Sequence, residues 1–165
     1  MKNLKEYIPY IVILILVIIV KAYIVTPIEV NGESMYPTLY NRDIMILNKI
    51  KMEFGEIKRF DIVVVKYDGK YLIKRVIGLP GETIEYKDNK LYINGTEIEE
   101  TFLKENVKTN DFKLEGKIPN DYYFVVGDNR EVSLDSRYLG AFSKSKIAGK
   151  TSLTVFPFNR IGYKD

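Results

Sequence analysis

The sequence predicts an all-β protein, a folded and barrel-like antiparallel sheet carrying one N-terminal membrane helix. Three observations carry this. Short runs rich in β-branched and aromatic residues recur along the chain, as in Asp61 to Tyr67 and Tyr122 to Val126, and such residues suit strands. Turn signals separate the runs, Asp68-Gly69 and Asn94-Gly95 being the strongest. Ahead of them, Tyr7 to Val25 is apolar apart from Lys21.

A helix over residues 7–25 would be about 28 Å long, close to the roughly 30 Å hydrocarbon core of a bilayer. Lys2 and Lys5 precede it, which places the N-terminus in the cytoplasm. Lys21 lies near the far end, where its stem reaches the interface. Residues 1–6 then form a cytoplasmic tail, 7–25 an anchor, and 26–165 an extracytoplasmic domain. Two other readings stand beside the anchor. The uninterrupted run Tyr10 to Val20 is short enough for the core of a cleavable signal, and Val20-Lys21-Ala22 resembles a cleavage site. A buried core helix is the third.

Strands are expected in order at Asp43 to Leu47, Asp61 to Tyr67, Tyr71 to Ile77, Thr83 to Tyr86, Lys90 to Ile93, Thr96 to Ile98, Tyr122 to Val126 and Lys150 to Phe156. Gly78-Leu79-Pro80-Gly81 stops the third. Glu99 to Asn120 is polar and reads as a loop or flap, within a small insert over 82–120. Many short strands joined by hairpins favour a barrel or folded sheet.

The 165 residues fit one domain, and 46% hydrophobic content is enough for a core. The net charge of +3 is mild and the positives stand among acids, so nucleic-acid binding is not expected. Two absences are more informative. No Cys excludes disulfides, a thiolate nucleophile and Cys-ligated metal; no His excludes a Ser-His-Asp triad and His-ligated zinc. No metal or cofactor is expected.

Residues 31–39, Asn-Gly-Glu-Ser-Met-Tyr-Pro-Thr-Leu, read as an irregular loop. Gly32 takes backbone angles other residues avoid, and Pro37 breaks any helix. Ser34 is either a turn serine or a nucleophile. A nucleophile here needs Lys, Asp, Glu, Tyr or a terminal amine as its base, and serine–lysine pairs are an established form. Lys74 sits mid-strand between apolar neighbours. Alternation puts it with Leu72 and Val76, and Arg75 with Ile73 and Ile77; periodicity does not say which pair faces inward. Arg is the worse base because it keeps its proton. Lys serves if burial lowers its pKa from about 10.4 toward 7, a shift of roughly 4 to 5 kcal/mol. Gly127 to Phe142 follows an expected core strand and carries Asp128, Arg130, Glu131, Asp135 and Arg137 with two serines. Charges so close to a core are paired or hydrogen-bonded. Ser133 is either a hydroxyl that orients an amine, as a third group orients a base in triads, or part of a polar turn with a structural salt bridge.

Together these segments resemble the bacterial type I signal peptidases. The resemblance rests on Ser34-Met35-Tyr36-Pro37-Thr38-Leu39, Asp61-Ile62-Val63-Val64, Lys74-Arg75-Val76-Ile77-Gly78-Leu79-Pro80-Gly81, and Gly127-Asp128-Asn129-Arg130 with Ser133, Asp135, Ser136 and Arg137. They occur in the family's order, after a membrane segment, and the single span and short insert resemble the compact Gram-positive type. The resemblance implies the signal peptidase fold and a membrane-anchored serine endopeptidase. Ser34 is then nucleophile and Lys74 general base, with Ser133 orienting the lysine. Asp128, Asp135, Arg75 and Arg137 frame the site through ion pairs. Ile28, Val30, Met35, Leu39, Met45, Val64 and Ile73 line pockets for small residues at −1 and −3 of a secretory signal peptide. The expected partners are signal peptides and the lipid bilayer.

Three positions depart from the family pattern. Gly32 stands where many two-span relatives carry an oxyanion-donating serine; the Ser34 N–H remains, and the second donor is either a backbone N–H of the Gly32 region or water. Phe60 replaces a common glycine, and Glu82 the usual aspartate. Two other functions compete: a self-cleaving repressor-type Ser-Lys protease, disfavoured because an apolar segment and no DNA-binding segment precedes Ser34, and a catalytically silent peptide-binding module, disfavoured because both Ser34 and Lys74 are present.

Overall fold

The computed structural model describes residues 6–19, 25–48, 56–104 and 107–164. An apolar helix, α1 (Ile8–Ile19), comes first. The strands follow as β1 (Val25–Glu29), β2 (Ile44–Asn48), β3 (Ile62–Tyr67), β4 (Lys70–Gly78), β5 (Ile84–Lys87), β6 (Lys90–Ile93), β7 (Thr96–Ile98), β8 (Phe112–Lys113) and β9 (Tyr122–Val126). A one-turn helix α2 (Ser136–Leu139), then β10 (Phe142–Ser143), β11 (Ile147–Phe156) and β12 (Gly162–Tyr163), complete the chain.

Every ladder is antiparallel. The main sheet runs β1-β2-β11-β3-β4-β9-β10, with β12 added to β11, and a second sheet runs β7-β6-β5-β8. No ladder joins β1 to β10 among the described residues, so the main sheet is open, not a closed barrel. Residues 82–120 thus hold a four-stranded sheet of their own, and the polar stretch expected as loop contributes β8 to it.

Hairpin chemistry sets this register. Asp68 and Gly69 both take positive φ, 46° and 70°, which the tight β3–β4 turn demands. The turn then pairs Val63 with Lys74 and Ile62 with Arg75. Both faces of β4 are covered from Lys74 to Gly78. On one face Val63, Val65, Val76 and Val125 form a core cluster. A second cluster, with Ile77, Ile84, Phe124 and Val126, joins the main sheet to the small one. There Gly78 is required by space, since a Cβ would stand 2.4 Å from Ile118 Cδ1. A third cluster, Val30, Met35, Leu39, Met45 and Ile62, lies beneath the serine loop.

Three expectations change. Val25, read as the end of the anchor, opens β1. The strand expected at Lys150 begins at Ile147, where a bulge lets Gly149 reach β3. The twelve residues of α1 reach about 18 Å, and among the described residues no helix is long and apolar enough to cross a membrane. Residues 20–24 of the expected span lie outside the described residues.

Candidate active site

Ser34 lies in a turn-rich loop closed at its base by two backbone bonds, Val30 N–H to Asp43 O (2.8 Å) and Arg42 N–H to Val30 O (2.8 Å). Inside it, Tyr36 N–H donates to Glu33 O and Leu39 N–H to Met35 O. Met35 and Leu39 anchor the loop in the core, both essentially buried. The loop is also held from across the molecule. Asn129 N–H donates to Ser34 O at 3.0 Å, and its side-chain amide to Glu33 O at 3.1 Å. Gly127 makes this approach possible. A Cβ there would stand 2.4 Å from Ser34 O and 2.2 Å from Ser133 Oγ.

Lys74 Nζ donates to Ser34 Oγ at 2.6 Å. Lys74 is only 2% exposed, and burial pushes its ammonium from the usual 10.5 down to about 8. The Asp135 and Asp128 carboxylates pull the other way, while Arg137 adds to the lowering. Desolvation wins because neither acid touches the amine, whereas loss of water acts on it directly. A lysine titrating near 8 holds a usable neutral fraction at physiological pH.

Arg75, next along the strand, is fully buried but spent on structure. Its Nε and Nη2 form a two-pronged bond to Asp128 Oδ1 and Oδ2, at 2.9 and 2.8 Å. Its Nη1 donates to Phe60 O at 3.0 Å, and the guanidinium lies 4.0 Å from the Phe102 ring. Thr38 of the serine loop donates to the same Asp128 Oδ2 at 2.5 Å. Asp128 therefore ties the loop to the strand that carries Lys74.

Asp135 caps α2 and accepts from Arg137 Nε and Nη2, both at 2.9 Å, and from Gly127 N–H at 3.0 Å. Burial raises the Asp135 pKa, but the Arg137 bonds and charge and the Gly127 N–H outweigh it, so the carboxyl lies below its usual range. Ser133 is buried beside this carboxylate. Its hydroxyl is close enough to help lower the acid, yet at a geometry short of a hydrogen bond.

An apolar cleft of about 630 Å³ opens from the Ser34–Lys74 pair. Ile28, Val30, Met35, Val64 and Ile73 line it. Leu39 and Met45 do not; they are fully buried behind Val30 and Met35 and support its wall. Alternation accounts for Met45, whose neighbours Ile44 and Ile46 on β2 take the half-buried positions. The Gly32 N–H, a candidate oxyanion donor, instead donates to Asn41 Oδ1 at 2.9 Å.

The family profile described as signal peptidase, peptidase S26, matches residues 4–156. The chain is 42% identical to signal peptidase I S of Bacillus subtilis, over 97% of this chain and 93% of that one. It is 43% identical to signal peptidase I V of the same organism, over 92% and 98%. A crystal structure of a signal peptidase I from Enterococcus faecalis superposes with a TM-score of 0.53 at 38% identity, covering 58% of this chain and 96% of that one. The chain belongs to the signal peptidase family.

In this signal peptidase the departures at positions 60 and 82 have local accounts. Phe60 keeps φ at 70°, a region glycine enters freely and a bulky residue at a cost. Its ring packs 5.0 Å from Phe102, and its carbonyl serves Arg75. Glu82 accepts from both Arg59 nitrogens, at 2.5 and 2.9 Å, and from Leu79 N–H. The sequence reading missed Glu100, which binds Arg130 through two bonds of 2.7 and 3.1 Å and accepts from Tyr86. It fastens the small sheet to the segment carrying Asp128. It also missed Thr38 and Asn129 as holders of the loop, although both lie in quoted motifs.

Proposed function

We propose that the chain is a membrane-anchored serine endopeptidase that removes signal peptides from exported preproteins, using a Ser34–Lys74 dyad. The observation that carries this is the 2.6 Å contact between a desolvated lysine and the serine at the end of an apolar cleft. Relatives named signal peptidase I support the substrate class.

Neutral Lys74 takes the Ser34 proton as Oγ attacks the scissile carbonyl. The resulting ammonium gives that proton to the departing amine, leaving an acyl-enzyme on Ser34. Water, deprotonated by neutral Lys74, then releases the acyl group. The Ser34 N–H serves the oxyanion. Ser133 Oγ makes no hydrogen bond to the amine; Lys74 is held by Ser34, and the Arg75–Asp128 and Arg137–Asp135 pairs keep the two halves of the site fixed. Small residues at −1 and −3 fit because Val30, Met35 and Ile73 leave little depth, and packed walls resist bulk.

The uncovered helix supports the anchor. From Tyr7 to Val17 every side chain of this apolar segment is exposed, and an apolar helix with no protein over it calls for a lipid environment. The N-terminus is then cytoplasmic and the catalytic domain extracytoplasmic.

Ser34→Ala tests the reading. On a peptide with Ala at −1 and −3, kcat/KM falls at least about a thousandfold, while thermal unfolding stays near that of the parent. Cleavage at the parental rate would remove Ser34 as nucleophile.

A further inference from the structure

The cleft continues well past the space that residues −1 and −3 need. Its lining runs from Ser34 and Val30 past Ile28 and Ile73 to Thr26, Lys70 and Tyr71. We propose that its far end is a third side-chain pocket, made by Thr26, Leu47, Tyr71 and Ala148, which takes an apolar residue at position −5. This rests on the signal peptidase reading above.

The register places it. Among the described residues, strand β1 has a ladder on one side only, with β2. Strand β4 pairs with β3 from Lys70, but its ladder with β9 starts at Arg75. Two strand edges without a ladder partner thus flank the cleft, and both run away from the dyad in the same direction. A peptide lying extended between them advances about 3.3 Å per residue. From Val30 back to Thr26 is four residues, about 13 Å, which carries the peptide from −1 to −5.

Side chains on a strand alternate, so −1, −3 and −5 enter the same face. The protein shows the matching rhythm: Val30 is buried, Ile28 and Thr26 are half-buried, and Glu29 and Pro27 between them are exposed. Val30 and Ile28 serve the first two positions, leaving Thr26 opposite the third. Thr26 pairs with Leu47. Leu47 lies flat over Gly149, where a Cβ would come within 2.6 Å of its Cδ1; the missing side chain lets it form a floor. Tyr71 shares the face of Ile73 by alternation. It is 63% exposed, an uncovered ring at the cleft wall. The lining is apolar with two hydroxyls, and Lys70 stands at the mouth. A leucine-sized chain is favoured there, and a lysine is repelled by Lys70.

The test uses the full chain in detergent and three peptides with Ala at −1 and −3, bearing Leu, Ser or Lys at −5. The expected kcat/KM for Leu exceeds that for Ser by about tenfold, the scale set by a few methylenes in an apolar pocket, and Lys is lowest. In Tyr71→Ala, which removes the wall, and in Ala148→Leu, which fills the pocket, the Leu-to-Ser ratio collapses toward one. Equal rates on the three peptides, or a Leu-to-Ser ratio unchanged in both variants, would overturn the pocket while leaving the peptidase reading intact. No cleavage of any peptide, or equal cleavage by Ser34→Ala, would overturn both.

Discussion

Lys74→Met is expected to be inactive and, at pH 7, more stable than the parent. The activity loss follows from removing the base. The stability gain follows from the lowered pKa. A folded-state pKa near 8 against an ordinary 10.5 means the unfolded chain binds the proton more tightly. Below pH 8 the buried ammonium therefore destabilises the fold, by at most about 3 kcal/mol. Between pH 8 and 10.5 the folded lysine is already neutral and the penalty fades as pH rises. Met fills similar space with no charge, so thermal melts at pH 7 show a Tm higher by several degrees, about 2–4 °C per kcal/mol at this size. The gap narrows by pH 10. Lys74→Arg separates the two effects: it is inactive, since guanidinium keeps its proton, and less stable, since that charge cannot be shed. A Lys74→Met protein that melts below the parent across this range would show that the lysine charge is fully compensated.

Asp128→Ala is expected to be the most destabilising single change in the site. Asp128 and Arg75 are both fully buried, bonded through two nitrogens. Removing the acid takes away the carboxylate that two guanidinium nitrogens share in a fully buried pair, and breaking such a pair costs about 3–5 kcal/mol. It also frees Thr38 and loosens the Ser34 loop. Urea denaturation measures the loss. The double variant Arg75→Met with Asp128→Leu should recover most of it, because an apolar replacement of similar volume leaves no charge stranded. A loss under 1 kcal/mol in Asp128→Ala would mean that water reaches Arg75.

Much of this was legible in the sequence, for identifiable reasons. Absence of His and Cys narrowed the base for Ser34 to a few residue types, and Lys74 sat in the right kind of strand. The alternation argument could not choose between Lys74 and Arg75 because both faces of β4 are covered there; partners, not exposure, distinguish them. Hairpins with Asp-Gly and Asn-Gly turns were readable from local chemistry, whereas two-residue strands such as β10 and β12 exist only through their neighbours. Glu100 was hidden in a polar run, and its value depends on the small sheet folding back onto Arg130. Leu39 and Met45 carry the right character for a pocket, but depth is a tertiary property, and they stand one layer behind the cleft. The Gly32 amide was lost to Asn41, nine residues on, a bond no local pattern announces.

The pH dependence of kcat/KM on a short peptide tests the central claim, that neutral Lys74 activates Ser34, most directly. Below pH 8 the rate should rise about tenfold per pH unit, because only the deprotonated lysine accepts the serine proton. It should level above an apparent pKa of about 8. A profile flat from pH 6 to 9, with the fold intact throughout, would contradict the account.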